Sequence, residues 1–312
     1  MAVGSWQSTE GPQRWLGLLV AAAIALSGCG GSGKKAATAA SSKPLVTLGT
    51  KNFTEEYVVG QLYKQALEAK GFRVELKNNI GSSEIVDRAL TSGAIDMYPE
   101  YTGVIVQEIA NEKRRPHSAL ETYKRAKAFE AGRGFAVLAR SPGQDVLANA
   151  VRPAFARQHH LKSTADLKGI GRFTYGGPSE NFTRFEGVVG MRKVYKLFNL
   201  RYVPLQIEDR YKALASGKVD MIGAFTTDPE VRERNKVALL TDPAGIFGYQ
   251  NIVPVVKRTV LDKEGPTFAA TLNAVTSRLT DDALRGMNAE VVVNGRSPAD
   301  VARDFLKRNP LP

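Results

Sequence analysis

From Leu45 onward, short apolar bursts alternate with longer amphipathic stretches. "LVTLG" (45–49) predicts a buried strand. "TEEYVVGQLYKQALEAKG" (54–71) predicts a helix, with Thr54 as its cap, Glu55 and Glu56 in its first turn and Gly71 as its stop. "FRVEL" (72–76) is the next strand, and "SSEIVDRALTSG" (82–93) the next helix, capped by Ser82 or Ser83 and ended by Gly93. "AIDMY" (94–98) follows as a strand. Helices alternating with strands imply α/β architecture around a mostly parallel sheet.

The pattern repeats. "RALTSGAIDMYPEYT" (88–102) and "KALASGKVDMIGAFT" (212–226) share Ala, Leu, Ser, Gly, Asp, Met and Thr in register at a constant offset, 217 − 93 = 124. A generic helix-to-strand join accounts for part of this. The match extends past the join, however, and brings Tyr101 and Phe225 to the same offset. Two similar α/β lobes are therefore expected, with these two aromatics facing each other across one cleft beyond the carboxyl ends of the strands. Tyr98 aligns with the apolar Ile222 and reads as packing.

Before Leu45 the pattern is different. In "RWLGLLVAAAIALSGCGG" a basic residue, Arg14, precedes an apolar run, Trp15 to Leu26, that is too short to span a bilayer comfortably and fits a secretory leader. Residues 29–43 are small and polar and read as a flexible tether. Gly28 to Lys35 nearly spells a phosphate loop, but Lys35 stands where Ser or Thr is needed and no strand precedes it.

Composition narrows the function classes. Of the 312 residues, 43% are hydrophobic, which is enough for two lobes with real cores. The formal net charge is +12, yet the basic residues are scattered without aromatic interleaving, so nucleic-acid binding is not expected. The single cysteine, Cys29, excludes an internal disulfide. No nucleophile elbow, metal-binding His-Glu-x-x-His or cysteine pair is present, and the three histidines lie in polar stretches. No cofactor, metal site or enzymatic activity is expected.

The candidate site residues lie at element ends. Lys51, between a strand and a helix start, reads either as an anion contact or as a solvent-facing lysine. Arg184, in "PSENFTRFEG" ahead of the helical pattern "GVVGMRKVYKLF" (187–198), reads either as a carboxylate grip or as an ion pair with Glu186. Tyr249, in "GIFGYQN", reads as packing or as ligand contact. Aromatic faces suit quaternary ammonium groups, which ask for no hydrogen bond.

The segments "GTKNFTEEYVVGQLY", "NNIGSSEIVDRALTSGAIDMYPEYTG", "ALASGKVDMIGAFTTD" and "VARDFLKRN" resemble the substrate-binding lipoproteins of ABC importers for osmoprotectants such as glycine betaine, choline and carnitine. The resemblance runs from about Val46 to the C-terminus. It implies a type II periplasmic-binding-protein fold, with lobe I over 44–146 plus 249–312, lobe II over 147–248 and two hinge crossovers that close around a ligand. It implies that residues 1–28 are a lipoprotein signal peptide and that Cys29, after Leu26-Ser27-Gly28, is acylated. The mature protein would then be anchored to a membrane in the periplasm or at the cell surface. Its partners would be permease and ATPase subunits, and it would act as a monomer. It further implies that Tyr101, Phe225 and Tyr249 form an aromatic cage, that Lys51 and Arg184 clamp a ligand carboxylate, and that Asp145 lies near the cation.

Three departures stand out: Leu147 and Phe225 where the family usually has aromatic and tyrosine residues, and Val104 where it often has Thr. One cage contact is worth roughly 0.5–2 kcal/mol, about two- to thirty-fold in affinity. A low-affinity betaine binder is expected, or one tuned to a bulkier betaine such as ergothioneine or to a related cation. A ligand sensor for a separate partner protein is the reading from another class.

Overall fold

The computed structural model describes residues 43–112 and 114–312. The leader, Cys29 and the tether up to residue 42 lie outside them.

Among the described residues ten strands form two sheets. β1 (Leu45–Lys51), β2 (Arg73–Gly81), β3 (Met97–Tyr101), β4 (Phe135–Val137) and β10 (Ile252–Lys257) form the first, in the order β2-β1-β3-β10-β4. β5 (Leu147–Val151), β6 (Phe173–Gly177), β7 (Leu200–Pro204), β8 (Met221–Phe225) and β9 (Ala238–Leu240) form the second, in the order β7-β6-β8-β5-β9. Each sheet is parallel except for one reversed strand, β10 in the first and β5 in the second. Those two strands are the ones entered directly from the other sheet, through the crossovers 138–146 and 241–251. Two mixed sheets joined by two crossovers are the two-lobe α/β fold of periplasmic binding proteins.

The repeat appears in three dimensions. β3 and β8 occupy the same place in their sheets, and 97 + 124 = 221 and 101 + 124 = 225 give their end points. β3 runs three residues beyond the strand expected at 94–98, so Tyr101 closes the strand and does not sit on a loop. β10 causes this extension by pairing with β3 as far as Ile252↔Tyr101.

The first helix, α1 (Thr54–Ala69), buries Val58, Val59, Leu62, Tyr63, Ala66 and Leu67 along one stripe. Each large apolar side chain so buried contributes roughly 1.5–3 kcal/mol. The stripe packs against β1, β2 and the C-terminal helices. Thr54 is not the cap. The extended Phe53 precedes the helix and makes no side-chain cap bond, and Thr54 is the first helical residue. The second helix, α2 (Ser83–Thr91), follows Ser82, whose hydroxyl bonds Glu84 and not a helix N–H. Gly71 and Gly93 terminate these helices at positive φ (79° and 86°), as the sequence predicts.

The helical run expected over 187–198 starts earlier, at Phe185, and ends at Lys193 in two short turns, with Lys196 at φ 61°. Gly187 is required there. A Cβ on it would lie 1.9 Å from the Asn181 carbonyl oxygen. Among the described residues no helix is long and apolar enough to cross a membrane.

Candidate functional site

The carboxyl ends of β1, β3 and β8 carry Lys51, Tyr101 and Phe225. The three converge where the two lobes meet. Phe53, just past β1, lies between the two repeat-related aromatics. Its ring stacks on Tyr101 at 6.3 Å and 18° and on Phe225 at 5.9 Å and 23°. The expectation that Tyr101 and Phe225 face each other directly is therefore corrected, because Phe53 separates them. Cationic groups sit at both ends of this three-ring stack. Lys51 Nζ is 4.1 Å from the Tyr101 ring centroid, and the Arg210 guanidinium is 4.7 Å from that of Phe225. Tyr98 is fully buried in the core, as the repeat indicated.

A cavity opens along the stack. Lys51, Phe53, Tyr101, Asp145, Arg184 and Phe225 line it, with Ser83, Val104, Leu147, Glu186 and Gln250 completing the wall. A second cavity lies on the other flank of Phe53, Phe225 and Asp145, and Glu55, Arg210, Tyr211, Asp228 and Asn288 contribute to it. Five of the six residues singled out in the sequence thus share one cavity. Tyr249 does not. Its hydroxyl donates to the His117 carbonyl at 3.0 Å, and its side chain lines a separate hollow with Arg115 and Phe247. Leu147 lies between that hollow and the main cavity.

The electrostatics depart furthest from the sequence reading. Lys51 is 2% exposed, so it is not a solvent-facing lysine. Its ammonium has three partners: Glu100 Oε1 at 2.6 Å, Glu56 Oε1 at 3.1 Å and the Pro99 carbonyl at 3.3 Å. One positive charge serves two carboxylates, so burial still holds the Glu56 carboxyl up to about 8 despite Lys51. Arg184 is similarly occupied. Nε and Nη2 donate to the two oxygens of Glu84 at 3.0 and 2.9 Å, and Nη1 reaches Glu186 Oε1 at 3.5 Å. Burial works against the Glu84 carboxylate, but these bonds hold it down to about 2. The Glu84–Arg184 pair also ties α2 of the first lobe to the second.

Asp145 and Glu55 form a buried acidic pair. Asp145 accepts from the Thr227 hydroxyl at 2.7 Å, while Glu55 accepts from the Tyr101 hydroxyl at 2.8 Å and from Asn288 Nδ2 at 3.0 Å. Burial pushes both carboxyls up, Glu55 raises Asp145 further, and Asp228 adds to both. Burial likewise raises Glu186, which accepts from Gln250 Nε2 at 3.0 Å. Five buried carboxylates (Glu55, Glu56, Glu100, Asp145 and Glu186) thus gather near three bases, Lys51, Arg184 and Arg210. Among the described residues no group of three or more His, Cys, Asp or Glu side chains could hold a metal ion.

Sequence reasoning missed Phe53, Gln250 and the carboxylate partners. The pattern "KNFTEE" contains three of them: Phe53 carries no recognisable signal, and Glu55 and Glu56 stand in the first turn of α1 as expected but also turn inward toward Tyr101 and Lys51.

A family model described as the substrate binding domain of the ABC-type glycine betaine transport system matches residues 44–308. The glycine betaine-binding protein YehZ of Escherichia coli K12 is 28% identical over 276 residues, covering 84% of this chain and 90% of that protein. The carnitine transport binding protein OpuCC of Listeria monocytogenes is 25% identical over 306 residues, covering 94% of each. The ergothioneine transport permease/ergothioneine binding protein EgtU of Helicobacter pylori G27 is 26% identical over 85% of this chain, but the match spans only 48% of EgtU. Among solved structures, apo YehZ superposes with a TM-score of 0.61 over 85% of this chain and 98% of that one. These relatives are binding proteins of transporters, not enzymes. The chain belongs to the family of substrate-binding proteins of ABC-type glycine betaine transport systems.

Proposed function

We propose that this chain is the extracytoplasmic receptor of an ABC importer, capturing a quaternary-ammonium compound between its lobes and delivering it to the permease. Acylation at Cys29 and anchoring to a membrane belong to the same proposal. The observation that carries it is the three-ring stack of Tyr101, Phe53 and Phe225 at the lobe junction, set among a surplus of buried carboxylates. Ring faces attract a cation that cannot donate hydrogen bonds, and carboxylates add attraction that little water screens there. Glycine betaine, carnitine and ergothioneine, named for the relatives, all carry such a nitrogen. Asp145, Tyr101 and Phe225 are the residues assigned to the cation. A bulkier betaine remains within the proposal, since Leu147 leaves one wall aliphatic.

A thermal-shift panel of glycine betaine, choline, carnitine, ergothioneine and amino acids tests this reading. At least one quaternary ammonium compound is expected to raise the melting temperature by several degrees while the amino acids do not. Tyr101→Ala, measured against its own baseline, is expected to lose that response. No response from any quaternary ammonium compound, or a full response in Tyr101→Ala, would overturn the proposal.

A further inference from the structure

We propose that the cleft selects organic cations that carry no carboxylate of their own, because the chain already supplies the anions for Lys51 and Arg184. This inference rests on the cation-binding reading above and narrows it.

A zwitterionic ligand needs a basic group with free donors for its carboxylate. Lys51 offers none, and Arg184 has already committed three of its five N–H bonds, its whole Nε–Nη2 edge among them. The three N–H bonds of the Lys51 ammonium are matched by three acceptors, Glu56, Glu100 and the Pro99 carbonyl. The outer edge of the Arg184 guanidinium is filled by both oxygens of Glu84, and its remaining arm points at Glu186. The Glu84–Arg184 contact has the paired geometry that a ligand carboxylate would otherwise adopt. Glu84 comes from α2 of the first lobe and Arg184 from the second. The bond thus spans the cleft as a ligand carboxylate bridging the lobes would.

Two costs oppose a betaine. Displacing Glu84 breaks an existing bidentate pair. Leaving Glu84 in place sets the ligand carboxylate against two like charges, the partly exposed Glu84 and the buried Glu186. A cation without a carboxylate incurs neither cost. It enters a cavity that Tyr101, Phe53 and Phe225 line together with Asp145 and Glu186. A quaternary head also suits this wall better than a metal ion, because the carboxylates are distributed around the cavity without converging on one point.

Choline and glycine betaine share the trimethylammonium head and differ at the other end, so isothermal titration of the protein with each isolates the carboxylate. Choline is expected to bind at least about tenfold more tightly. Glu84→Gln frees one edge of Arg184 and is expected to strengthen glycine betaine binding about tenfold while changing choline binding less than about threefold. Equal affinities, or tighter glycine betaine binding by the unmodified protein, would overturn the inference and leave the cation site standing. That comparison needs no variant to fold. A Glu84→Gln protein that folds but gains no glycine betaine affinity would also overturn it. Binding of neither compound, with no other quaternary ammonium active in the thermal panel, would instead overturn the proposed function.

Discussion

Lys51→Met is expected to lower the melting temperature by on the order of 10 °C, the largest stability loss of any single change in the site. Among the described residues Lys51 is the one base in contact with both Glu56 and Glu100, each fully buried. Removing one partner of a buried ion pair costs about 3–5 kcal/mol because a charge is left without compensation. For a protein of this size each kcal/mol moves the melting temperature by roughly 2–4 °C. Part of the loss is relieved by protonation, since Glu56 already holds its proton up to about 8. The deficit should therefore shrink as the pH is lowered from 8 to 5. Thermal denaturation of the variant and the parent protein at both pH values checks this. A loss under about 2 °C at pH 8, or one that does not depend on pH, would show that Lys51 is not the counter-charge of this cluster.

The second large effect is on pH dependence. Burial raises the carboxyls of Glu55, Asp145 and Glu186, holds Glu56 up to about 8 and holds Glu108 and Glu130 up to about 7. In the unfolded chain these groups release their protons near 4–4.5. Above that range the folded protein holds more protons than the unfolded one, so stability falls as pH rises. The contribution of Glu56, Glu108 and Glu130 is complete below about 4 and is lost as pH rises through about 7 to 8. Glu84, held down to about 2 by Arg184, acts in the opposite sense: its contribution is present above about 4.5 and is lost as pH falls toward 2. The melting temperature without ligand is expected to peak near pH 5 and to drop by at least about 5 °C by pH 8.5. Cation binding should run the other way. Asp145 faces Thr227, Glu55 and Asp228, and Glu55 faces Tyr101, Asn288 and Thr227. A cation beside this pair replaces a proton, so affinity should rise by up to about tenfold per pH unit while one proton is released. Calorimetric titration at pH 6, 7 and 8, in buffers of different ionisation enthalpy, measures both the affinity and the protons released. Affinity that is flat or falls with pH would contradict the acidic-pair account.

The features legible in the sequence were those carried by local pattern. The 124-residue repeat identified β3 and β8 and the aromatic that ends each strand, because strand period, glycine stop and core-facing residues are all local requirements. It also separated Tyr98, which packs, from Tyr101, which lines the cavity. The charge pairing was not legible. Glu84 and Arg184 are 100 residues apart and meet only because the two lobes close on each other. Lys51 looked like an anion contact because it precedes a helix, whereas the anion is supplied by the first turn of that same helix and by Glu100. Phe53 was missed because a lone aromatic before a helix commonly serves as packing, and its contact with Phe225 depends on the lobe arrangement. Tyr249 matched its motif, yet the second crossover turns its side chain toward His117, away from the cavity.

The most direct test is a crystal structure of the protein with the tightest-binding cation from the thermal panel. The account requires the quaternary nitrogen to sit within about 6 Å of the Tyr101 or Phe225 ring centroid, with Asp145 beside it and Glu84 still paired to Arg184. A cation seated in the hollow of Tyr249 and Phe247, or on the surface with Tyr101, Phe53 and Phe225 untouched, would contradict it.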